Sequence, residues 1–196
     1  MIKIFGTTHF DSKEKIEGII KDESPDIIGV ELCITRFKAF TNQIPQAKAG
    51  EDNSIIGKIA EETKKKAEEN NLDYGSDMKT ALFYAINNNI RLALLDKDIN
   101  TIRDDMQRIP IEEMQYLQNE LIKFQTEDIN KQIDENEVIE RMKADIPHVF
   151  QILVEDRNTY LVNSIKELME KNPDKKIVIF LGKGHVVEIK RRLMLE

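Results

Sequence analysis

Short apolar runs alternate with longer amphipathic stretches along this chain, and that alternation predicts strands separated by helices. Ile2-Lys3-Ile4-Phe5 opens as a strand. Ser12 can cap a short helix to about Lys21, with Ile16, Ile19 and Ile20 on one face. After Pro25-Asp26, the run Ile27-Ile28-Gly29-Val30-Glu31-Leu32 reads as a second strand, apolar enough for burial on both faces. A helix from about Thr35 leads away from it. Ser54 to Asn70 predicts a charged helix with Ile55, Ile56, Ile59 and Ala60 inward. Ser76 caps the next, where Met78, Ala81, Leu82, Ala85 and Ile86 share a face. Asn87-Asn88-Asn89 ends that helix, and Ile90 to Asp96 is a third strand finishing on a carboxylate.

Residues 99 to 149 read as helical throughout. Met114, Leu117, Leu121 and Phe124 are spaced as in a helical hairpin, with a turn over Gln132 to Asn136. Pro147 restarts the chain into a long helix reaching about Lys171, with Leu161, Ile165, Leu168 and Met169 buried. Asn172-Pro173-Asp174 stops it, and Lys175 to Leu181 is the last strand. The expected fold class is α/β: a mixed, largely parallel central sheet flanked by helices, with a helical insertion before the last strand. That insertion is a candidate lid, and its side-by-side helices could equally make a homodimer.

Composition narrows the partners. The chain has 196 residues, 40% hydrophobic and 33% charged, with a net charge of −7. An acidic balance disfavours nucleic acid, which needs a basic face. The basic runs Lys64-Lys65-Lys66 and Lys190-Arg191-Arg192 fall on helical segments and read as solvated faces. Cys33 is the single cysteine, so no internal disulfide is possible. The first residues enter a strand directly, and no apolar run approaches the twenty residues that a membrane helix requires. A soluble, cytoplasmic chain is expected.

The candidate chemistry lies at the strand exits. Gly6-Thr7-Thr8-His9 follows the first strand and Gly182-Lys183-Gly184-His185 follows the last. Two of only three histidines thus stand three residues after a glycine, where open α/β sheets build their sites. Glu31 and Asp96 close the other two strands. Two imidazoles and a carboxylate suit zinc, manganese, iron or cobalt. Each histidine could instead cap a helix or bond backbone carbonyls.

Glu31, at the end of an apolar strand, needs a partner such as Arg36 or another arginine. Cys33 could face the same side if the strand continues, but more simply packs as a small apolar residue. Asp96 could be a ligand, an anchor for a histidine, or the cap of the helix starting near Ile99. Arg103 on that helix could reach back to the site. In Glu155-Asp156-Arg157-Asn158, Arg157 could steady an oxyanion or belong to a surface salt-bridge face. His148 follows Pro147 at a helix start and should be exposed. No G-x-S-x-G elbow, Walker loop or G-x-G-x-x-G fingerprint is present. Gly182-Lys183-Gly184 precedes a helix, where an anion is conceivable.

Taken in order, these segments resemble the TraB/PrgY family, related to Tiki proteins and more distantly to the GumN, ChaN and erythromycin-esterase group. The matching blocks are Ile4 to His9, Pro25 to Cys33 with Arg36, Gly75-Ser76-Asp77-Met78 with Ala81 and Ala85, Leu95-Asp96-Lys97-Asp98 with Thr101 and Arg103, Glu155 to Asn158, and Gly182 to Val186. They span nearly the whole chain, so one domain over 1–196 with an insertion at about 99–149 is expected. The chain has Asp96-Lys97 where the family pattern suggests aspartate-arginine.

The resemblance implies a metal-dependent hydrolase, or a peptidase, on an α/β scaffold. From the Tiki branch it implies His9, His185 and Glu31 as the centre for a divalent metal (Mn, Co or Zn). Glu31 or Asp156 would act as general base and Arg157 would steady the oxyanion. Arg36, Asp96 and Arg103 would contact the substrate. From the TraB/PrgY branch it implies shutdown of peptide pheromone signalling, by capture or cleavage. Many such relatives carry hydrophobic segments after this region, so this chain would be a short soluble member or a trimmed domain. The alternative is a non-catalytic module that sequesters a peptide or small ligand.

Overall fold

In the computed structural model, the structure describes residues 1–8, 10–44, 52–69, 71–126 and 135–195. His9 and most of the expected turn at Gln132 to Asn136 lie outside them. Strands β1 (Ile2–Thr7), β2 (Ile27–Val30), β3 (Arg91–Leu94) and β4 (Ile177–Gly182) form one parallel sheet in the order β1-β4-β2-β3. The two central strands, β2 and β4, are the most apolar segments of the chain, because both of their faces are covered.

Alternation along those strands separates two cores. Ile28, Val30, Val178 and Phe180 face helices α1 (Lys13–Glu23) and α4 (Ser76–Asn87), through Ile16, Ile20, Met78, Leu82 and Ala85. Ile27, Ile177, Ile179 and Leu181 face α9 (Asp156–Glu170) and α10 (Lys183–Leu193), through Leu161, Ile165 and Ile189. Gly29 sits on this second face with no side chain. A Cβ there would come within 2.8 Å of Leu95 Cδ1 and 3.0 Å of Ile179 Cγ1.

A third apolar cluster joins the helices outside the sheet. It combines α3 (Ile55–Glu69), α5 (Ile99–Met106) and α8 (Pro147–Phe150) around Ile55, Ile102, Met106, Ile146 and Val149. Met114, Leu117 and Leu121 of α6 (Ile111–Thr126) pack against it, as does Met142 of α7 (Glu135–Asp145). Phe124's side chain lies outside the described residues. Among those residues, no helix is long and apolar enough to cross a membrane.

Several local details depart from the pattern reading. Ser12 does cap α1, but α4 is capped by Gly75, in left-handed backbone at φ 76°, rather than by Ser76. β2 ends at Val30, so Cys33 leaves the strand and becomes the N-cap of α2 (Ile34–Phe40), its sulfur accepting the Arg36 N–H at 3.5 Å. Asp98, not Asp96, caps α5, accepting the Asn100 N–H at 2.9 Å. The long helix expected from Pro147 contains a π-helical turn at Gln151–Glu155, directly before Asp156 and Arg157. Such turns recur at functional sites.

His148 is exposed, as expected, but its backbone is anchored. Glu113, 7% exposed, accepts the N–H groups of His148 and Val149 at 3.0 Å each and touches His148 Nδ1. Burial pushes the Glu113 carboxyl up, but the His148 ring and the two amides outweigh it and hold it below its ordinary 4.5. A depressed folded value contributes stability above the unfolded value, lost as the pH falls through the folded one. Glu113→Ala is therefore expected to cost about 1–2 kcal/mol at neutral pH. In urea unfolding, that deficit should shrink steadily below about pH 4.5.

Candidate active site

Glu31 follows the last residue of β2, and its backbone N–H donates to the Phe180 carbonyl of β4 at 3.2 Å. Continuing the strand alternation, it points to the face covered by α9. There Arg157 Nη2 donates to Glu31 Oε1 at 2.5 Å. The same guanidinium holds Asp96, with Nε on Oδ1 at 3.1 Å and Nη2 on Oδ2 at 2.8 Å. Asp96 follows β3, and its N–H donates to the Leu32 carbonyl at 3.2 Å. Arg36 of α2 approaches from the side, with Nη1 3.5 Å from the Glu31 carbonyl oxygen and 3.9 Å from Asp96 Oδ2. Glu31 and Asp96 are each only 6% exposed. Two buried carboxylates are thus held by one shared arginine and a second nearby.

The other Glu31 oxygen meets the start of α10. Gly182, the N-cap, donates its N–H to Oε2 at 2.7 Å. The anion conceivable at this glycine turn is therefore the protein's own carboxylate, seated where the helix dipole favours it. Gly182 permits the approach: a Cβ there would stand 3.3 Å from Oε2. His185, on the first turn of α10, presents Nε2 3.8 Å from Glu31 Oε1. Its Nδ1 donates to Asn158 Oδ1 at 2.7 Å, which leaves Nε2 as the nitrogen with the lone pair in the neutral ring.

Burial would push the Glu31 carboxyl up, but the Arg157 guanidinium outweighs it. His185, the Gly182 amide and Arg36 add to that, holding the carboxyl at about 2. Burial opposes the Arg157 charge, yet Glu31 and Asp96 raise its pKa above the ordinary value. Tyr74 lies close enough to feel the same charges. Burial pushes its phenol up, with Asp77 and Glu31 adding and Arg36 and Arg157 opposing.

A neutral imidazole nitrogen and a carboxylate oxygen are donors that a divalent ion accepts. Two atoms bound to one tetrahedral ion at about 2.1 Å stand roughly 3.4 Å apart, near the observed 3.8 Å separation. The pair therefore fits two positions of such a sphere. Among the described residues, no group of three His, Cys, Asp or Glu side chains could hold an ion. The third donor expected from sequence, His9, is outside them.

A family model described as the TraB/PrgY/gumN family matches residues 76–195. The chain belongs to this family. Across 98% of its length it is also similar to the uncharacterized protein MJ1365 of Methanocaldococcus jannaschii, at 29% identity, and the alignment covers 53% of that protein. This chain therefore spans about half the length of the curated relative it matches.

In this TraB/PrgY/gumN chain, the fold draws together Glu31, Arg36, Asp96, Arg157 and His185. Arg103 instead pairs with Asp52 at 2.5 Å and Asn100 at 3.2 Å. Asp156 accepts from Gln151 Nε2 at 2.7 Å. The two site residues not singled out from the sequence are Asn158, which orients His185, and Tyr74. Asn158 was visible only as a member of a polar cluster. Its spacing from Arg157 carries no signal until α9 is placed between the sheet and α10.

Proposed function

We propose that this chain is a metal-dependent hydrolase, a peptidase acting on short peptides of the pheromone-like class. The single observation that supports this is the convergence of His185 Nε2 and Glu31 Oε1 at 3.8 Å, at the carboxyl ends of buried parallel strands. Glu31, His185 and His9 would hold a divalent ion, Mn, Co or Zn. Such an ion, when bound, polarises a scissile carbonyl and acidifies water.

The chain's own residues set the stage for that chemistry. Asn158 would fix the His185 ring with Nε2 on the Glu31 side, 3.8 Å from Oε1. Arg157 keeps Glu31 ionised and hydrogen-bonds Asp96, and its charge would stabilise a developing oxyanion. Glu31, held at about 2 while Arg157 and the Gly182 amide bind it, would take a proton as general base only once Arg157 turns from it to the substrate. Asp156, bonded to Gln151, would serve in that role only through a rearrangement. Arg36 and Asp96 would line the substrate's approach. Arg103 would join them only on release from Asp52. A cytoplasmic setting would keep the buried Cys33 thiol reduced.

Metal analysis of protein purified without chelator tests this. One bound divalent ion is expected in the parent chain, and less than a tenth of it in His9→Ala and His185→Ala. Equal, negligible content in all three removes the reading. One observation favours a second reading, a sequestering module that turns nothing over: both oxygens of Glu31 and both of Asp96 already have partners within the protein. Full peptide capture without product, under saturating Mn, Co or Zn, would select it.

A further inference from the structure

Two arginines stand over the buried carboxylates, and they are held very differently. Arg157 engages its guanidinium in three short bonds to Glu31 and Asp96. The Arg36 side chain, 28% exposed, makes one hydrogen bond among the described residues, Nη1 to the Glu31 carbonyl at 3.5 Å. Asp96 stands off at 3.9 Å and already accepts two bonds from Arg157 and one from the Lys97 N–H. A guanidinium carries five N–H donors in a planar fork, so most of this fork is unengaged among the described residues. Its neighbour is Tyr74. Arg36 and Phe40 lie one turn apart on the same face of α2. Phe40 Cζ would stand 3.9 Å from a Cβ on Gly75, the residue after Tyr74. That face of α2 therefore meets the Tyr74–Gly75 loop. Of the charges around the Tyr74 phenol, Arg36 is the one it feels most. Phe10, on the chain leaving β1, backs the Tyr74 ring at 6.3 Å. Burial keeps the phenol protonated, so a hydroxyl donor lies beside a guanidinium.

We propose that Arg36 and Tyr74 form the subsite for a carboxylate of the substrate, either the free carboxyl end of a short peptide or an acidic side chain near it. This deepens the hydrolase reading and rests on it for any catalytic consequence; the anion subsite itself needs no metal. A carboxylate is the planar partner that a guanidinium fork grips through two parallel N–H bonds, and the phenol O–H adds a third donor. The same guanidinium repels an ammonium group, so the subsite also sets which end of a peptide enters. A purely structural Arg36 would close the 3.9 Å gap to Asp96, as Arg157 does at 2.8 Å.

The test uses the metal-free full chain and three probes: tetra-alanine with a free carboxyl end, its carboxamide, and that carboxamide with its last alanine replaced by glutamate. The Arg36 Nε–H signal, followed by ¹⁵N NMR, reports binding at this side chain. The free acid should bind about tenfold tighter than the carboxamide and should move that signal. Arg36→Gln should erase the preference, and Tyr74→Phe should lower it about threefold. Arg36→Lys should keep only part of it, because a point charge lacks the fork; this variant retains the charge beside Asp96 and decides the matter should Arg36→Gln fail to fold. Recovery of the preference by the glutamate carboxamide assigns the carboxylate to a side chain, and its absence assigns it to the peptide's end. Equal binding of acid and carboxamide, no binding of either, or a preference unchanged in Arg36→Gln, Arg36→Lys or Tyr74→Phe overturns the subsite. Manganese titration of the parent chain separates the two claims. An absence of metal uptake removes the metal reading, while the acid-to-carboxamide ratio still decides the subsite.

Discussion

Arg157→Met is expected to destabilise the fold by about 3–5 kcal/mol, because it strands two buried carboxylates on one side of the sheet. The substitution keeps most of the side-chain volume, so a cavity contributes little. The cost lies in charge. Glu31 and Asp96, 6% exposed each, lose a guanidinium that makes three hydrogen bonds to them. Arg36, 3.9 Å from Asp96, compensates in part.

The pH dependence separates this cause from ordinary loss of packing. In the parent chain Glu31 is held at about 2, against an ordinary 4.5. Its stabilisation is therefore fully present above pH 4.5 and is lost as the pH falls toward 2. Without Arg157, burial is left to dominate and the Glu31 carboxyl should rise above its ordinary value. Arg157→Met should then become more stable, relative to the parent, as the pH drops through about 6 to 4. Adding Glu31→Gln and Asp96→Asn should recover at least half of the loss at neutral pH. Denaturant unfolding of the four proteins checks each step. A deficit independent of pH, and not relieved by neutralising the carboxylates, would show that the arginine acts by packing alone.

This charge centre also shows what could be read from the residues in order. The four strands were legible because β2 and β4 are continuous apolar runs, and because each strand exit carries a glycine or a carboxylate. Parallel pairing followed from helices lying between them. That Glu31 needs a cation was legible too, since it ends a buried strand. Which cation was not: Arg157 lies 126 residues away, and its choice depends on α9 covering the face that Glu31 meets. A helix cap was one of three roles that the same local logic offered for Asp96, yet Asp98, two residues on, has the backbone geometry for it. The buried contact of Thr7 Oγ1 with Asp77 Oδ2, at 2.6 Å, was hidden for a related reason. A carboxylate in the first turn of a helix ordinarily complements the dipole at the surface, and nothing nearby in sequence signals that 77 is fully buried.

Asn158→Leu should lower divalent-metal affinity about 10–100-fold while leaving every proposed ligand in place. Asn158 is 2% exposed, and among the described residues its side chain meets the site through His185 Nδ1, at 2.7 Å. Its carbonyl oxygen demands a proton on Nδ1, which puts the ring's lone pair on Nε2, 3.8 Å from Glu31 Oε1. Without that acceptor, the ring can turn and can carry its proton on Nε2 instead. Binding must then also supply the cost of restoring tautomer and orientation. Asn158→Asp keeps an acceptor at the same place and should retain affinity within a few-fold. Isothermal titration with Mn, Co or Zn measures the ladder, parent and Asp above Leu. A second readout stands without any metal: ¹⁵N-imidazole spectra at alkaline pH should show His185 protonated at Nδ1 in the parent and shifted toward Nε2 in Asn158→Leu. If His185 already carries its proton on Nε2 in the parent protein, Nε2 is closed to a metal. The lone pair that the whole hydrolytic proposal needs would then point at Asn158 instead of Glu31.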